Sequence, residues 1–154
     1  MIAVLQKVSR ASVTADGKPY SECNKGFLIL LGVTVEDTEE DARLLADKIS
    51  KLRVFEDEDD KMNLSVNDVG GTVMVVPNFT LGASYKKGNR PAFVFSAEPS
   101  RAEMLFEYFC GYIKDLVPDV KKGKFRSHME VSLVNDGPVT IPLDSRVLKG
   151  ARSI

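Results

Sequence analysis

The chain is poor in the residues that usually carry catalysis. It has one histidine, His128, no tryptophan, and two cysteines, Cys23 and Cys110, that stand far apart. A lone histidine without a clustered carboxylate pair does not build a metal centre of the usual His/Cys/carboxylate kind, so no metal is expected. Two isolated thiols form no Cys-x-x-Cys pair and read as reduced thiols of a cytoplasmic protein. No apolar run approaches the roughly 20 residues that a membrane helix needs, and no secretory leader opens the chain, so a soluble protein is expected. Also missing are a Gly-x-Ser-x-Gly elbow, a His-Glu-x-x-His helix and a phosphate-cradling glycine loop. Chemistry in this chain has to lean on backbone groups and on the substrate itself.

What is present is ordinary for a globular protein. The 154 residues are 44% hydrophobic and 28% charged, with a net charge of -1. That length makes one domain, residues 1–154, able to bury roughly two thirds of its unfolded surface. Near-neutrality excludes wholesale electrostatic capture of nucleic acid but leaves room for local basic patches.

Periodicity places the elements. Met1 to Ser9 alternates, with Ile2, Val4 and Val8 apolar, and a second short strand is expected around Ala11 to Ala15 before an Asp16-Gly17 hairpin turn. Phe27 to Val33 is continuously apolar and suits a strand covered on both faces. Thr38, with Asp41 three residues on, caps a helix whose stripe is Ala42, Leu45, Ile49 and Leu52. A second helix opens at Pro99-Ser100 with Glu103 as a capping-box acid. It buries Leu105, Phe109, Tyr112 and Leu116, and stops before Pro118. Val73 to Val76 is a buried strand, Glu56 to Asp60 an acidic hairpin turn, and Met129, Val131 and Leu133 alternate near the end. Strands, helix, strands, helix, strands predicts an α/β (α+β-like) single domain with a largely β core, sheet or barrel-like, and two packed helices.

Two motifs stand out, each after an apolar strand-like run. Pro77-Asn78-Phe79-Thr80-Leu81 reads either as a plain strand end or as a site in which the Phe79 and Thr80 N–H groups and the Thr80 hydroxyl meet a developing oxyanion. In Asn135-Asp136-Gly137-Pro138-Val139-Thr140, Gly137-Pro138 reads either as a β-turn or as a cis peptide presenting two carbonyls on one side. Lys86-Lys87-Gly88-Asn89-Arg90-Pro91 and the Lys121 to Arg126 run are basic loops, solvated or phosphate-facing.

Taken together, these motifs resemble the D-aminoacyl-tRNA deacylase family over essentially the whole chain. The opening Met1 to Val13 looks like that family's first strand pair. Phe79-Thr80-Leu81 with Lys86 to Pro91 matches its central motif, and Asn135 to Thr140 matches its C-terminal signature without a change. The resemblance implies hydrolysis of the ester joining a D-amino acid, or glycine, to the terminal adenosine of tRNA. It implies a homodimer with the active site at the subunit interface and no metal or organic cofactor. Gly137 and Pro138 would reject L-aminoacyl groups, with Pro77, Asn78 and Lys7 among the substrate contacts. Phe79 and Thr80 would hold the reacting ester, and charge adds Lys86, Lys87 and Arg90 as tRNA contacts. An aminoacyl ester is already activated, so positioning and backbone donors can supply much of the rate.

The chain departs from the family pattern at Pro77-Asn78 (usually Ser-Gln), Lys7 (usually Arg), Arg126-Ser127 (usually Gly-Ala) and Gly82 to Tyr85. Two alternatives follow from these changes. One is a paralogue clearing another mischarged aminoacyl group; the other is a catalytically silent tRNA-binding module on the same fold.

Overall fold

The computed structural model describes residues 1–151. Its longest strands are β1 (Ile2–Ala15) and, late in the chain, Met129–Asp144. After β1 come β2 (Lys18–Cys23), β3 (Gly26–Gly32), α1 (Glu39–Lys51), the small hairpin β4 (Phe55–Glu56) and β5 (Met62–Leu64), and β6 (Thr72–Pro77). A 3₁₀ turn over Phe79–Gly82 leads through a long loop to α2 (Pro99–Lys114), β7 (Val120–Lys122), β8 (Met129–Asp144) and α3 (Ser145–Leu148).

β1 organises the sheet. β8 runs antiparallel along it from Ile2↔Asp144 to Ala15↔Met129. The opposite edge of β1 takes β2 at Ala11 to Ala15 and β3 at Ile2 to Val8, so that β2 and β3 together act as one long partner. β6 then pairs parallel with β3, and β7 parallel with β6. Ser21 Oγ donates to Lys122 O at 2.9 Å, tying β2 to β7 and curling the sheet nearly into a barrel. Among the described residues the outer edge of β8 pairs with no strand.

The core lies on both faces of this sheet. Phe27, Ile29 and Leu31 of β3 pack with Leu5, with Leu45 and Ile49 of α1, and with Phe106 and Phe109 of α2. Leu28 faces the other way, among Val8, Val13, Met74 and Val76. Double coverage is why β3 is apolar throughout; each such side chain contributes about 1.5–3 kcal/mol on burial.

Three expectations are corrected. Met1 to Ala15 forms one strand rather than two: Ser9 and Arg10 are exposed yet extended, and the break is only a register shift against β8. α2 begins two residues earlier than a Ser100 cap requires, because Pro99 takes the first helical position with Glu98 as cap, and Ser100 donates instead to Glu98. A third short helix, α3, follows β8, started by Asp144, whose Oδ1 accepts the Arg146 N–H at 2.9 Å. At α1 the expected capping box forms: Asp41 accepts the Thr38 N–H at 2.9 Å, and the Thr38 side chain accepts the Asp41 N–H.

Candidate active site

β6 ends at Pro77, and its last residues turn outward into the 3₁₀ turn. Asn78 N–H donates to Leu31 O at 2.9 Å, which holds the turn against the end of β3. The returning loop closes on it: Ser96 Oγ donates to Phe79 O at 2.7 Å, and Ala97 N–H to Val33 O at 3.0 Å. Gly82 permits this approach, since a Cβ there would stand 3.1 Å from Ser96 N and meet its hydroxyl.

These elements border a cleft of about 930 Å³, within the usual size of small-molecule sites. Its walls are apolar, including Leu30, Val76, Phe106, Phe125 and Met129. At the mouth Phe79, 59% exposed, meets Phe93 edge-to-face at 4.9 Å. Polar groups converge at the rim: Asn78, Thr80, Ser96 and Glu98 from one side, Arg126, Ser127 and His128 from the other.

The donors at Thr80 are already spoken for. Thr80 Oγ1 donates to Asn78 Oδ1 at 2.5 Å, and Thr80 N–H to the same oxygen at 3.3 Å. The Phe79 N–H has no acceptor among the described residues. Of the three donors expected to meet an oxyanion, the Phe79 N–H alone is therefore unengaged, while the lone pairs of Thr80 Oγ1 stay available to a substrate hydroxyl. No thiol offers an alternative nucleophile. Burial pushes Cys110 up to about 12, with Glu107 adding to it, and burial likewise raises Cys23.

Gly137 and Pro138 are not in this cleft. The pairing of β8 with β1 jumps from Val8↔Asn135 to Gln6↔Thr140, so that residues 136–139 loop out opposite the single residue Lys7. Both Gly137 and Pro138 are exposed, and the peptide between them is cis. Asn135 staples the base of the excursion. Its Oδ1 accepts Val139 N–H at 2.8 Å, and its Nδ2 donates to Thr140 Oγ1 at 2.8 Å. Gly137 has φ +155, and a Cβ on it would lie 2.7 Å from Val139 N.

Lys7, expected among the substrate contacts, does not border the cleft. Its side chain is buried and its ammonium donates to both carboxylate oxygens of Glu56 at 2.7 Å, 5.7 Å from the Phe55 ring. The β4–β5 hairpin thus neutralises it inside the fold. Lys86, Lys87 and Arg90 lie on the exposed loop between the 3₁₀ turn and α2, outside the cleft lining.

Sequence reasoning left out Asn135 as a site residue, although its motif was recognised, and it did not bring Phe93, Ser96 or Glu98 to the cleft. Arg126 borders the cleft on left-handed backbone (φ +60), with Nε 3.6 Å from Glu103. A second groove of about 840 Å³, bordered by Arg10, Lys25, Asp119 and Lys121, is lined by no residue of Pro77 to Leu81 or of Asn135 to Thr140.

A family model described as D-Tyr-tRNA(Tyr) deacylase matches residues 4–144. The chain belongs to that family. The D-aminoacyl-tRNA deacylase of Caldicellulosiruptor saccharolyticus is 53% identical over 146 residues, covering 95% of this chain and 98% of the relative. The D-aminoacyl-tRNA deacylase of Anaeromyxobacter dehalogenans is 53% identical over 148 residues, covering 96% and 99%. Among solved structures, the c-Myc DNA Unwinding Element Binding Protein superposes with a TM-score of 0.88 at 39% identity, covering 94% of this chain and 98% of that one. A probable eukaryotic D-amino acid tRNA deacylase superposes with a TM-score of 0.81 at 15% identity, covering 93% and 98%, and shares the fold.

Proposed function

We propose that this chain hydrolyses the ester between a D-amino acid, or glycine, and the 3′-terminal adenosine of tRNA, working in the cytoplasm as a homodimer. The observation that carries this reading is a separation. The cleft holds Phe79 and Thr80 but lacks Gly137 and Pro138, which project, exposed, from a strand whose outer edge pairs with no strand among the described residues. Pairing of two such edges would bring Gly137 and Pro138 of a second copy to the cleft of the first.

In that arrangement the apolar cleft takes the aminoacyl group and adenosine, with Pro77 and Asn78 at its wall. Thr80 Oγ1 accepts from a ribose hydroxyl while its own proton stays on Asn78. Water adds to the ester carbonyl, and the Phe79 N–H receives the oxygen as it becomes negative. Collapse breaks the acyl–ribose bond; the ribose oxygen takes up a proton, and the amino acid leaves as its carboxylic acid. The backbone carbonyls of Gly137 and Pro138 occupy the space an L-side chain would need, so discrimination is a matter of repulsion. Lys86, Lys87 and Arg90 attract the tRNA phosphates.

The deciding experiment is deacylation of D-tyrosyl-tRNA against L-tyrosyl-tRNA by the purified protein, beside a Gly137→Ala variant. Fast D-selective release in the wild type, with selectivity lost in the variant, is expected. Release of neither ester overturns the reading and favours the silent tRNA-binding module.

A further inference from the structure

The loop between the 3₁₀ turn and α2 carries a second feature that the chemistry above leaves unused. Ser84 and Ala92 exchange backbone hydrogen bonds (2.6 and 2.9 Å), pinching residues 85–91 into a lobe that turns at Gly88, φ +68. The lobe is rooted in the cleft wall, because Phe79 precedes it and Phe93, Ser96 and Ala97 follow it, all of them bordering the cleft. Tyr85 is 83% exposed, and Val94 and Phe95 on the return limb are also largely uncovered. The same lobe carries Lys86, Lys87 and Arg90, none of which forms an ion pair among the described residues.

Exposed aromatic rings interleaved with unpaired cations are a surface for single-stranded nucleic acid: bases stack on the rings while the cations follow the phosphates. Duplex RNA would engage the cations but has no free base face to offer Tyr85. We propose that Tyr85 is a stacking platform for the unpaired nucleotides that precede the terminal adenosine, with Lys86, Lys87 and Arg90 on their phosphates. This rests on the tRNA-ester reading for its physiological ligand, but its test does not.

The test is binding of a labelled, uncharged single-stranded RNA ending in ACCA to the full-length protein, followed by anisotropy. Tyr85→Ala is expected to weaken binding by roughly 5- to 150-fold, the range for losing one stacked base, while Tyr85→Phe binds as the wild type does. Replacing Lys86, Lys87 and Arg90 together by alanine is expected to lower the slope of log K against log salt by roughly 2. Equal binding by Tyr85→Ala and wild type overturns the proposal. So does an equal loss on a blunt RNA duplex, or a change in the sedimentation of the Tyr85→Ala protein, which would put a second copy over the ring. A wild type that deacylates no ester, yet loses RNA binding on Tyr85→Ala, sinks the catalytic reading and leaves this one standing. Where deacylation is active, Tyr85→Ala is expected to reduce by a similar factor the preference for aminoacyl-tRNA over 3′-aminoacyl-adenosine, which lacks the stacked nucleotides.

Discussion

Asn135 and Val139 hold each other across the base of the excursion in β8: Val139 N–H donates to Asn135 Oδ1 at 2.8 Å, and Asn135 Nδ2 donates back to Val139 O at 3.3 Å. A side chain thus supplies the rungs that β1 cannot, since Lys7 faces four residues there instead of one.

Asn135→Ala is expected to leave the buried Val139 N–H without a partner, at about 1–3 kcal/mol. The excursion loses its staple while the strand on either side stays paired with β1. Deacylation measured on D- and L-esters should show a smaller ratio between the two, with a folded protein by circular dichroism. An unchanged ratio would mean that the excursion is held by something other than Asn135.

Thr80→Val keeps the shape of the side chain and removes its hydroxyl. If Thr80 Oγ1 receives a ribose hydroxyl, single-turnover deacylation should slow by roughly 10²–10³-fold, the scale for losing one positioned polar group at a reacting centre. Thr80→Ser restores the oxygen and should restore most of the rate. Equal rates for Val and Ser would remove Thr80 from the mechanism.

Lys7 and Glu56 make an unequal pair, for the Lys7 side chain is almost fully buried and that of Glu56 is half exposed. Glu56→Ala strands an ammonium inside the protein, whereas Lys7→Met replaces it with a side chain of similar shape that needs no partner. Urea unfolding should therefore rank Glu56→Ala below Lys7→Met in stability. The reverse order would show that the ammonium reaches water by another route.

Acid should act through the α1–α3 contact. Burial by itself pushes Asp41 up, but hydrogen bonds from Ser145 Oγ (2.6 Å) and Lys149 (2.9 Å), with the Thr38 N–H, bring its carboxyl well below the ordinary carboxylate range. A carboxyl depressed in the folded state stabilises it above the unfolded pKa of about 3.9, and that stability drains away as pH falls below this value. Asp144 is shifted in the same direction by Arg146, against its own burial. Asp41→Asn should be less stable than wild type at neutral pH and should lose less on acidification from about pH 5 to about pH 3. Parallel pH curves of the urea midpoint would contradict this.

Most of the fold could be read from pattern. Continuous apolarity at β3 announced two-sided burial, and the Ala42, Leu45, Ile49 stripe announced the face of α1. Local rules were weaker at boundaries: Pro99 displaced the Ser100 cap, and two exposed residues did not break β1. At the site, the chain segments were legible but their assembly was not. Period and motif place Asn78 and Thr80 on one turn, yet no pattern announces that Asn78 Oδ1 accepts the Thr80 hydroxyl. The resemblance puts Lys7 among the substrate contacts, while in the fold a hairpin forty-odd positions on reaches back to neutralise it. No local signal in β1 reports a partner that distant.

The pairing of β1 with β8 also sets a schedule. Ile2 lies against Asp144, far along the chain. One edge of β1 thus waits open while the residues between are made, a bare strand flank of the kind that invites wrong partners. Contacts of such long range slow the closure. The excursion bearing Gly137 and Pro138 takes its final form only in that last step, so whatever editing this protein performs switches on once the whole sheet is complete.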